Sequence, residues 1–388
     1  MLELDCAAGF APENDAGFFA ALPGAPAVCL IEPKEDTAEP LLIRTADLRR
    51  RLTRLLGPAD PASKRLNLRE FAKGVRYRLT GSKFEQTLAY YLRAKEIFPA
   101  RYAKLMRLRP PAVLKLNLGS AYPRCYVTRR LAVNPEGATN AIYYGPFASR
   151  KAAEGFAESV LDFFKVRRCQ IKIRRDPSFP GCIYSEMKMC LAPCFAGCSK
   201  EEYDLEVAKL AGFLESGGSS LRADFESERE QASEALDFEK AGALHKKIAK
   251  LNDVLRARPE IARSIPELDA VILQKAAAAQ TIGVYEVRAG KLREPLFVDF
   301  GKIAGEPRSL EQMLRQHVEA ANAQTLEGER EEHLSILARW FYSNPREGEI
   351  FFRERDWPYR KIMRACARLL APAAASQNGE TGEGKGAQ

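Results

Sequence analysis

The stretch RRCQIKIRRDPSFPGCIYSEMKMCLAPC, residues 167–194, decides how this chain is interpreted. It contains four cysteines in the spacing C-x12-C-x7-C-x3-C, namely Cys169, Cys182, Cys190 and Cys194. Four thiolates gathered at one point are typical of sites for soft metals, either zinc or an iron–sulfur cluster. The spacing has no CxxC knuckle, which disfavours an ordinary structural zinc site. The alternative without metal is a set of reduced, buried thiols.

The composition limits the classes of protein that remain. A chain of 388 residues predicts two or three domains, at roughly 100–200 residues each. With 46% hydrophobic and 29% charged residues it can bury cores, which excludes wholesale disorder and collagen-like structure. No window approaches the roughly 18 uncharged apolar residues of a membrane-spanning helix. The start, MLELDCAAGFAPEND, has no basic region, so we expect no signal peptide and a cytoplasmic protein with reduced thiols.

The net charge of +9 has its basic excess in the middle of the chain. Residues 101–175 hold 16 Lys and Arg against 4 Asp and Glu, with aromatic residues interleaved. Basic side chains neutralise phosphates and exposed aromatic rings stack on unpaired bases, so this block predicts DNA binding. The alternative is a solvated basic face with the aromatics in the core. The predicted DNA contacts are Arg124, Tyr126, Arg129, Arg130, Arg150 and Lys151, and the other aromatics are Tyr122, Tyr143, Tyr144 and Phe147.

Residues 201–256 have a helical pattern. Within 219–256, apolar residues recur every three or four positions along two helices that meet at Leu236-Asp237-Phe238. Two short helices with one apolar stripe each predict an antiparallel hairpin. Such a hairpin buries little surface alone, so we expect it to dock on another part of the chain.

The two ends of the chain have the patterns of small α/β units. Residues 27–32 and 41–45 are predicted strands, and residues 47–56 and 83–98 are predicted helices capped by Asp47 and Ser82. Strand-like stretches resume at 268 and are followed by helical ones. We therefore predict an α+β, multidomain fold. Its parts are an α/β domain at 1–103, a basic strand-rich and cysteine-rich region at 104–200, a helical hairpin at 201–258, a second α/β region at 265–370 and a disordered tail at 371–388.

Several of these motifs resemble the UvrC family, the nuclease subunit of bacterial nucleotide-excision repair. The matching text is RRC at 167–169, GC at 181–182 and MCLAPC at 189–194. In that family a similar spacing holds a four-iron, four-sulfur cluster, which implies this cofactor on the four cysteines, with zinc as the alternative. The segment EALDFEKAGALHKKIAKL at 234–251 resembles a UVR motif, the hairpin through which UvrC and UvrB associate. The resemblance implies that a UvrB-type helicase is contacted by Phe238, Glu239, Ala241, Leu244 and Ile248.

The chain departs from the family where the family's GIY-YIG nuclease domain would have its catalytic residues. The first tyrosine motif aligns with Ala27-Val28-Cys29 and the second with Leu41-Leu42-Ile43. The family's arginine matches Arg51, which a basic surface helix explains equally well. The metal-holding glutamate falls at Tyr90 or Tyr91, and the late asparagine at Ala103. Phosphodiester cleavage needs an activator for the nucleophile and a carboxylate for the divalent ion, and these side chains supply neither.

The resemblance and its departures together predict a UvrC-like repair protein of the SOS response that binds DNA and a UvrB-type partner but has no nuclease activity of its own. Its N-terminal domain would be a degenerate GIY-YIG fold. The alternative is an active, metal-dependent DNA endonuclease with an atypical centre around Arg51, for which Glu85 or Glu96 would have to supply the carboxylate. A third hypothesis is an adaptor in which only the hairpin acts.

Overall fold

The structure is a computed structural model that describes residues 2–58, 65–131, 140–303, 309–320 and 324–371. These residues form three β-sheets and 12 α-helices, so the predicted mixture of α and β structure in several parts is confirmed. The predicted disordered tail lies outside the described residues, apart from Ala371. A search of the described helices finds none with the length and apolar character needed to span a bilayer.

The first sheet is antiparallel with the strand order β1-β4-β2-β3. Its strands are β1 (Cys6–Gly9), β2 (Ala27–Pro33), β3 (Leu41–Thr45) and β4 (Ala72–Leu79). Helices α1 (Asp15–Ala21) and α2 (Leu48–Leu56) cover one face, and α3 (Lys83–Ile97) covers the other. The predicted caps are confirmed, because Asp47 accepts the backbone N–H of Arg50 at 2.9 Å and Ser82 accepts that of Glu85 at 3.1 Å.

The second sheet has the order β6-β5-β7-β8. Its strands are β5 (Ala112–Asn117), β6 (Cys125–Thr128), β7 (Ala141–Phe147) and β8 (Arg263–Ser264). Helix α4 (Tyr102–Met106) precedes this sheet and packs on α3. The helices of this part are α5 (Arg150–Leu161), α6 (Ile183–Glu186), α7 (Lys200–Glu215), α8 (Ser219–Glu234) and α9 (Phe238–Ala257). One core joins the sheet to α5, α7 and the α8–α9 hairpin, so the hairpin docks on the middle of the chain.

The third sheet follows the order β11-β10-β9-β13, with β12 also paired to β10. Its strands are β9 (Ala270–Lys275), β10 (Thr281–Arg288), β11 (Lys291–Leu292), β12 (Leu296–Asp299) and β13 (Glu349–Phe352). Its helices are α10 (Leu310–Glu319), α11 (Arg330–Phe341) and α12 (Tyr359–Leu370). The predicted second α/β region thus contains both element types, with α10 and α12 packed over one face of the sheet.

Helix α3 lies between the first and third sheets and belongs to the core of both. The ring of Phe84 is 5.1 Å from that of Tyr285 in β10 and 5.2 Å from that of Trp340 in α11. Leu88 and Val28 lie in the same buried cluster, so the opposite side of α3 packs on the first sheet. The N-terminal sheet is therefore covered on this face by α3 and the C-terminal part of the chain.

His333 in α11 makes the stability of this arrangement dependent on pH. Its ring is fully buried, and its Nδ1 accepts the backbone N–H of Leu292 at 3.1 Å. Burial lowers the pKa of His333 from 6.5 to about 4. The unfolded chain therefore takes up this proton below pH 6.5, whereas the folded chain resists it until about pH 4.

We expect the neutral His333 ring to make its full contribution to the free energy of unfolding above pH 6.5. That contribution should fall by about 3 kcal/mol as the pH is lowered to 4. Denaturant unfolding across this range should show the loss in the wild type. The His333→Asn variant, which keeps an acceptor for Leu292 but does not titrate, should lack it. Parallel pH profiles for the two proteins would contradict the assignment.

Candidate nucleic-acid and partner interfaces

The cysteine segment is fixed to the middle sheet by a buried arginine and a buried tyrosine. Arg167 donates from Nε to the carbonyl of Tyr122 at 3.0 Å and from Nη1 to that of Ile171 at 2.8 Å. Its backbone N–H donates to the Tyr203 hydroxyl at 3.1 Å, and that hydroxyl donates to the carbonyl of Pro123 at 2.7 Å. The start of the segment is thus tied to the approach to β6 and to α7.

The four predicted ligand cysteines are free thiols. Burial raises the pKa of Cys190 to about 11, and the nearby Cys169, Cys182 and Cys194 raise it further by repulsion, against a hydrogen bond that lowers it. That hydrogen bond runs from the backbone N–H of Ala192 to the Cys190 sulfur at 3.3 Å. Ala192 adopts a left-handed conformation, with φ of 56°, which forms the tight turn of the CLAPC run.

These thiols have the donor chemistry of a soft-metal site but not its geometry in the structure. Among the described residues there is no group of three or more His, Cys, Asp or Glu side chains that could hold a metal ion. The Nη1 of Arg167 lies 3.8 Å from the Cys169 sulfur. The iron–sulfur cluster, and zinc as its alternative, therefore stay predictions.

Two of the predicted DNA contacts, Arg124 just before β6 and Tyr126 on it, form one half-buried patch, which we call the β6 patch. The guanidinium of Arg124 lies over the ring of Tyr126, 4.4 Å from its centroid, and both side chains are half-exposed. Lys115 is the cross-strand partner of Tyr126 on β5 and shares this face. Cys125 and Val127 are buried on the other face, as the alternation of side chains along a strand requires.

The other predicted basic contacts are exposed but lie at the ends of elements. Arg129 and Arg130 follow β6, and Arg129 donates from Nη1 to the carbonyl of Pro110 at 2.9 Å. Arg150 and Lys151 begin α5, where Arg150 pairs with Glu154 at 2.7 Å. The remaining aromatic residues of the block pack into or against the hydrophobic cores, which agrees with the alternative that placed the aromatics in the core. They are Tyr122, Tyr143, Tyr144 and Phe147.

The large apolar side chains that the hairpin exposes lie at its turn. Leu236, in a left-handed conformation, and Phe238 are each 71% exposed, and Asp237 between them accepts the backbone N–H of Lys240 at 3.0 Å. Of the predicted partner contacts, Glu239 is also exposed and Ala241 is half-buried. The remaining two, Leu244 and Ile248, are buried in the core that the hairpin shares with the middle sheet. Leu236 was not among the predicted partner contacts, although the sequence predicted the helix junction in which it lies.

The two segments aligned with the tyrosine motifs are apolar and enclosed. Val28 and Leu42 face α3, and Ala27, Cys29 and Ile43 face α1 and α2. Burial raises the pKa of Cys29 to about 12, so its thiol is neutral. Both faces of these strands are therefore filled with hydrophobic side chains.

The residues aligned with the nuclease arginine and glutamate lie on helices that pack against opposite faces of the first sheet. Arg51 on α2 is half-exposed, and its buried Nε has no hydrogen-bond partner among the described residues. Tyr90 and Tyr91 are on α3, where Tyr90 lies under Arg44 and the Tyr91 hydroxyl donates to Glu332 at 2.6 Å. Ala103 lies in the short helix α4.

The two carboxylates that the alternative needs are both engaged with arginines. Glu85 is 1% exposed, accepts the backbone N–H of Gly81 at 2.9 Å and pairs with Arg78 at 3.4 Å. Burial raises the pKa of Glu85. Glu96 forms an ion pair with Arg93 on the same helix.

Comparison with known proteins finds a family match for the middle of the chain. Residues 112–213 match the family model described as UvrC/Cho excinuclease, middle domain. The chain is 27% identical over 294 residues to the UvrABC system protein C of Chlamydia caviae, covering 74% of this chain and 47% of that protein. It is 29% identical over 180 residues to that of Ruminiclostridium cellulolyticum, covering 46% and 28%. For Chlamydia abortus the identity is 30% over 193 residues, covering 50% and 32%.

These matches confirm the resemblance to the UvrC family that the cysteine segment predicted. The chain spans between about a quarter and a half of the length of these curated relatives. No solved structure matches the chain. The matched middle domain contains the basic patch on β6 and all four predicted ligand cysteines.

Proposed function

We propose that this UvrC-family chain is a nucleotide-excision-repair protein that binds DNA and a UvrB-type partner without cutting DNA itself. The observation that carries the proposal is the combination of a basic patch and an exposed apolar hairpin tip with an enclosed nuclease region. Arg124 and Tyr126 keep part of their surface open to DNA, and Leu236 and Phe238 are exposed to a partner. The strands that would carry the nuclease tyrosines are packed on both faces.

The chemistry of the enclosed region supports the lack of nuclease activity. A nuclease of this kind must admit a phosphodiester, a water molecule and a hydrated divalent ion to one place. Leu42 and Cys29 supply no proton acceptor, and Arg51 is separated by the sheet from the helix that carries Tyr90 and Tyr91. The degenerate GIY-YIG assignment of residues 1–103 is part of this proposal.

The hairpin tip supports a protein partner. Leu236 and Phe238 lie on either side of Asp237, which caps the second helix of the hairpin, and both are exposed. They form a small apolar knob, and charged residues are their neighbours in the sequence. Aromatic anchors of this type dominate protein interfaces when they enter a pocket. We assign this knob, with Glu239 and Ala241 beside it, as the UVR-like surface for a UvrB-type helicase.

The cysteine segment would serve the same protein as a structural metal site. The thiolates of Cys169, Cys182, Cys190 and Cys194 would have to draw together around an iron–sulfur cluster, because the described side chains do not form a metal-holding group as they stand. Once bound, the cluster would cross-link loops that lack a core of their own. Anaerobically purified protein should then be brown and carry iron. A colourless protein with stoichiometric zinc would favour the zinc alternative.

We expect the purified chain to leave a lesion-bearing duplex intact in the presence of UvrA, UvrB and magnesium. Denaturing gels of a labelled duplex measure nicking, and a full-length UvrC in the same reaction is the positive control. Nicking by the wild-type chain at a rate near that control would refute the proposal. If that nicking required metal and disappeared in Arg51→Ala, the atypical endonuclease would be established instead.

The same protein should bind DNA in a salt-dependent manner. The adaptor hypothesis differs here, because it predicts UvrB capture that ignores salt and no retention on DNA even at low salt. An Arg124→Ala/Tyr126→Ala variant should bind a bubble duplex about 10-fold more weakly, since one phosphate contact and one stacking contact are lost. Unchanged affinity would remove the β6 patch from the proposal.

A further inference from the structure

A second basic surface lies between the cysteine segment and the base of the hairpin, away from the predicted DNA contacts. It is a groove with a volume of about 440 Å³. Its walls are the residues after α5, the arginine before Cys169, the loop 187–189 and one side of α8 and α9. The basic residues among them are Lys165, Arg168, Lys188, Lys247 and Lys250.

The groove is strongly cationic because only one acidic side chain lines it. That residue is Asp162, which accepts from Arg168 at 3.0 Å and from Lys250 at 3.0 Å. Five cations against one carboxylate leave a net charge of +4. A single phosphate monoester carries at most about −2, so this excess matches several phosphates rather than one.

Aromatic rings hold the cationic side chains at the walls of the groove. The Lys250 ammonium lies 5.5 Å from the ring centroid of Phe163, and the Lys247 ammonium lies 5.6 Å from that of Phe225. The side chain of Arg168 is only 13% exposed, and its buried Nε has no hydrogen-bond partner among the described residues. A buried donor of this kind is costly unless an acceptor reaches it.

We propose that this groove binds the phosphate backbone of a DNA strand, with the apolar surface of Phe163 and Met187 beside the bases. The inference rests on the proposed DNA binding and extends it to a surface built from the cysteine segment and the hairpin. Successive phosphate oxygens would accept from the exposed lysine ammonium groups of the groove, so that the negative charge of the strand is spread along them. Met187 is 62% exposed and offers a flexible apolar contact at the rim.

The test compares two double variants of the full chain that remove the same charge from the same helix. Lys247→Ala/Lys250→Ala empties one wall of the groove. Lys240→Ala/Lys246→Ala removes two exposed lysines of α9 that do not line it. Fluorescence anisotropy of a labelled bubble duplex, measured over a range of salt concentrations, gives the affinity and its salt dependence.

We expect the groove variant to bind about 10-fold more weakly and to lose about two units of the slope of log K against log salt. The control variant should stay close to wild type. Equal weakening in both variants would overturn the groove while leaving the proposed DNA binding intact. A wild-type protein that fails to bind the duplex at low salt would overturn both.

The Lys250→Ala change also removes the ion pair with Asp162, which could disturb the fold. A second variant, which leaves that ion pair intact, therefore tests the groove independently. Lys188 lies on the opposite wall, is exposed and has φ of 57°, a conformation that asparagine tolerates. Lys188→Asn should weaken binding in the same direction and reduce the slope by about one. Inorganic phosphate at matched ionic strength should not displace the DNA, and full displacement would identify a site for small anions instead.

Discussion

Replacing Leu236 and Phe238 by alanine is expected to weaken capture of a UvrB-type helicase by roughly 30- to 700-fold. Central aromatic and aliphatic anchors of an interface each contribute about 1–2 kcal/mol or more, and here they form the exposed apolar surface at the hairpin turn. Both side chains are 71% exposed, so truncating them removes little packing within the chain. Biolayer interferometry with immobilised helicase measures the change.

The matched control for this variant is Leu205→Ala on α7. Leu205 is 66% exposed, nearly as much as the two tip residues, and it lies away from the turn. Its truncation should leave capture unchanged. If the tip variant and the Leu205 variant bind equally well, the partner is held by another surface and the UVR-like assignment is wrong.

Replacing Cys190 and Cys194 by serine is expected to abolish cooperative folding of the middle of the chain, and not merely an activity. Structural metal sites contribute about 10 kcal/mol or more in small domains, which is comparable with the whole stability of a domain. Residues 167–199 contain only a four-residue α-helix and a three-residue 3-10 helix among loops and turns, so they have few other interactions to hold them together. The midpoint temperature of thermal unfolding and the iron content of the purified protein should both fall in this variant.

Cys198 provides the internal control for this experiment. It is buried to a similar degree as Cys194, at 8% against 5% exposure, and lies four residues away outside the predicted ligand set. Cys198→Ser should keep its iron and lose only the small cost of burying a hydroxyl. Equal loss in both variants would show that general packing, rather than a metal, holds the segment.

Local signals in the sequence were sufficient for the elements themselves. Asp47 and Ser82 each precede an apolar-periodic run and each accepts the N–H three residues later, as helix capping requires. The junction at Leu236-Asp237-Phe238 was also predictable, because the apolar stripe breaks there and Asp237 can cap the second helix. These features depend only on neighbours within one or two turns.

The tertiary arrangement of the sites depended on pairings that no local pattern carries. Strand β8 joins the second sheet by pairing Ser264 with Tyr144, more than a hundred residues earlier. The basic groove likewise needs Lys250 beside Asp162, which are 88 residues apart. The sequence placed Tyr143 and Tyr144 on a possible DNA surface because composition does not distinguish a stacking ring from a core ring.

The packing of the first sheet limits which substitutions its strands can accept. Cys29 is fully buried between β2 and the helices α1 and α2, so a tyrosine there would need space for a ring and a partner for its hydroxyl. On the opposite face α3 is covered by Tyr285 and Trp340 from a distant part of the chain. Introducing the motif tyrosines one at a time would therefore disturb the packing of this sheet before it produced a cutting site, so several core positions would have to change together.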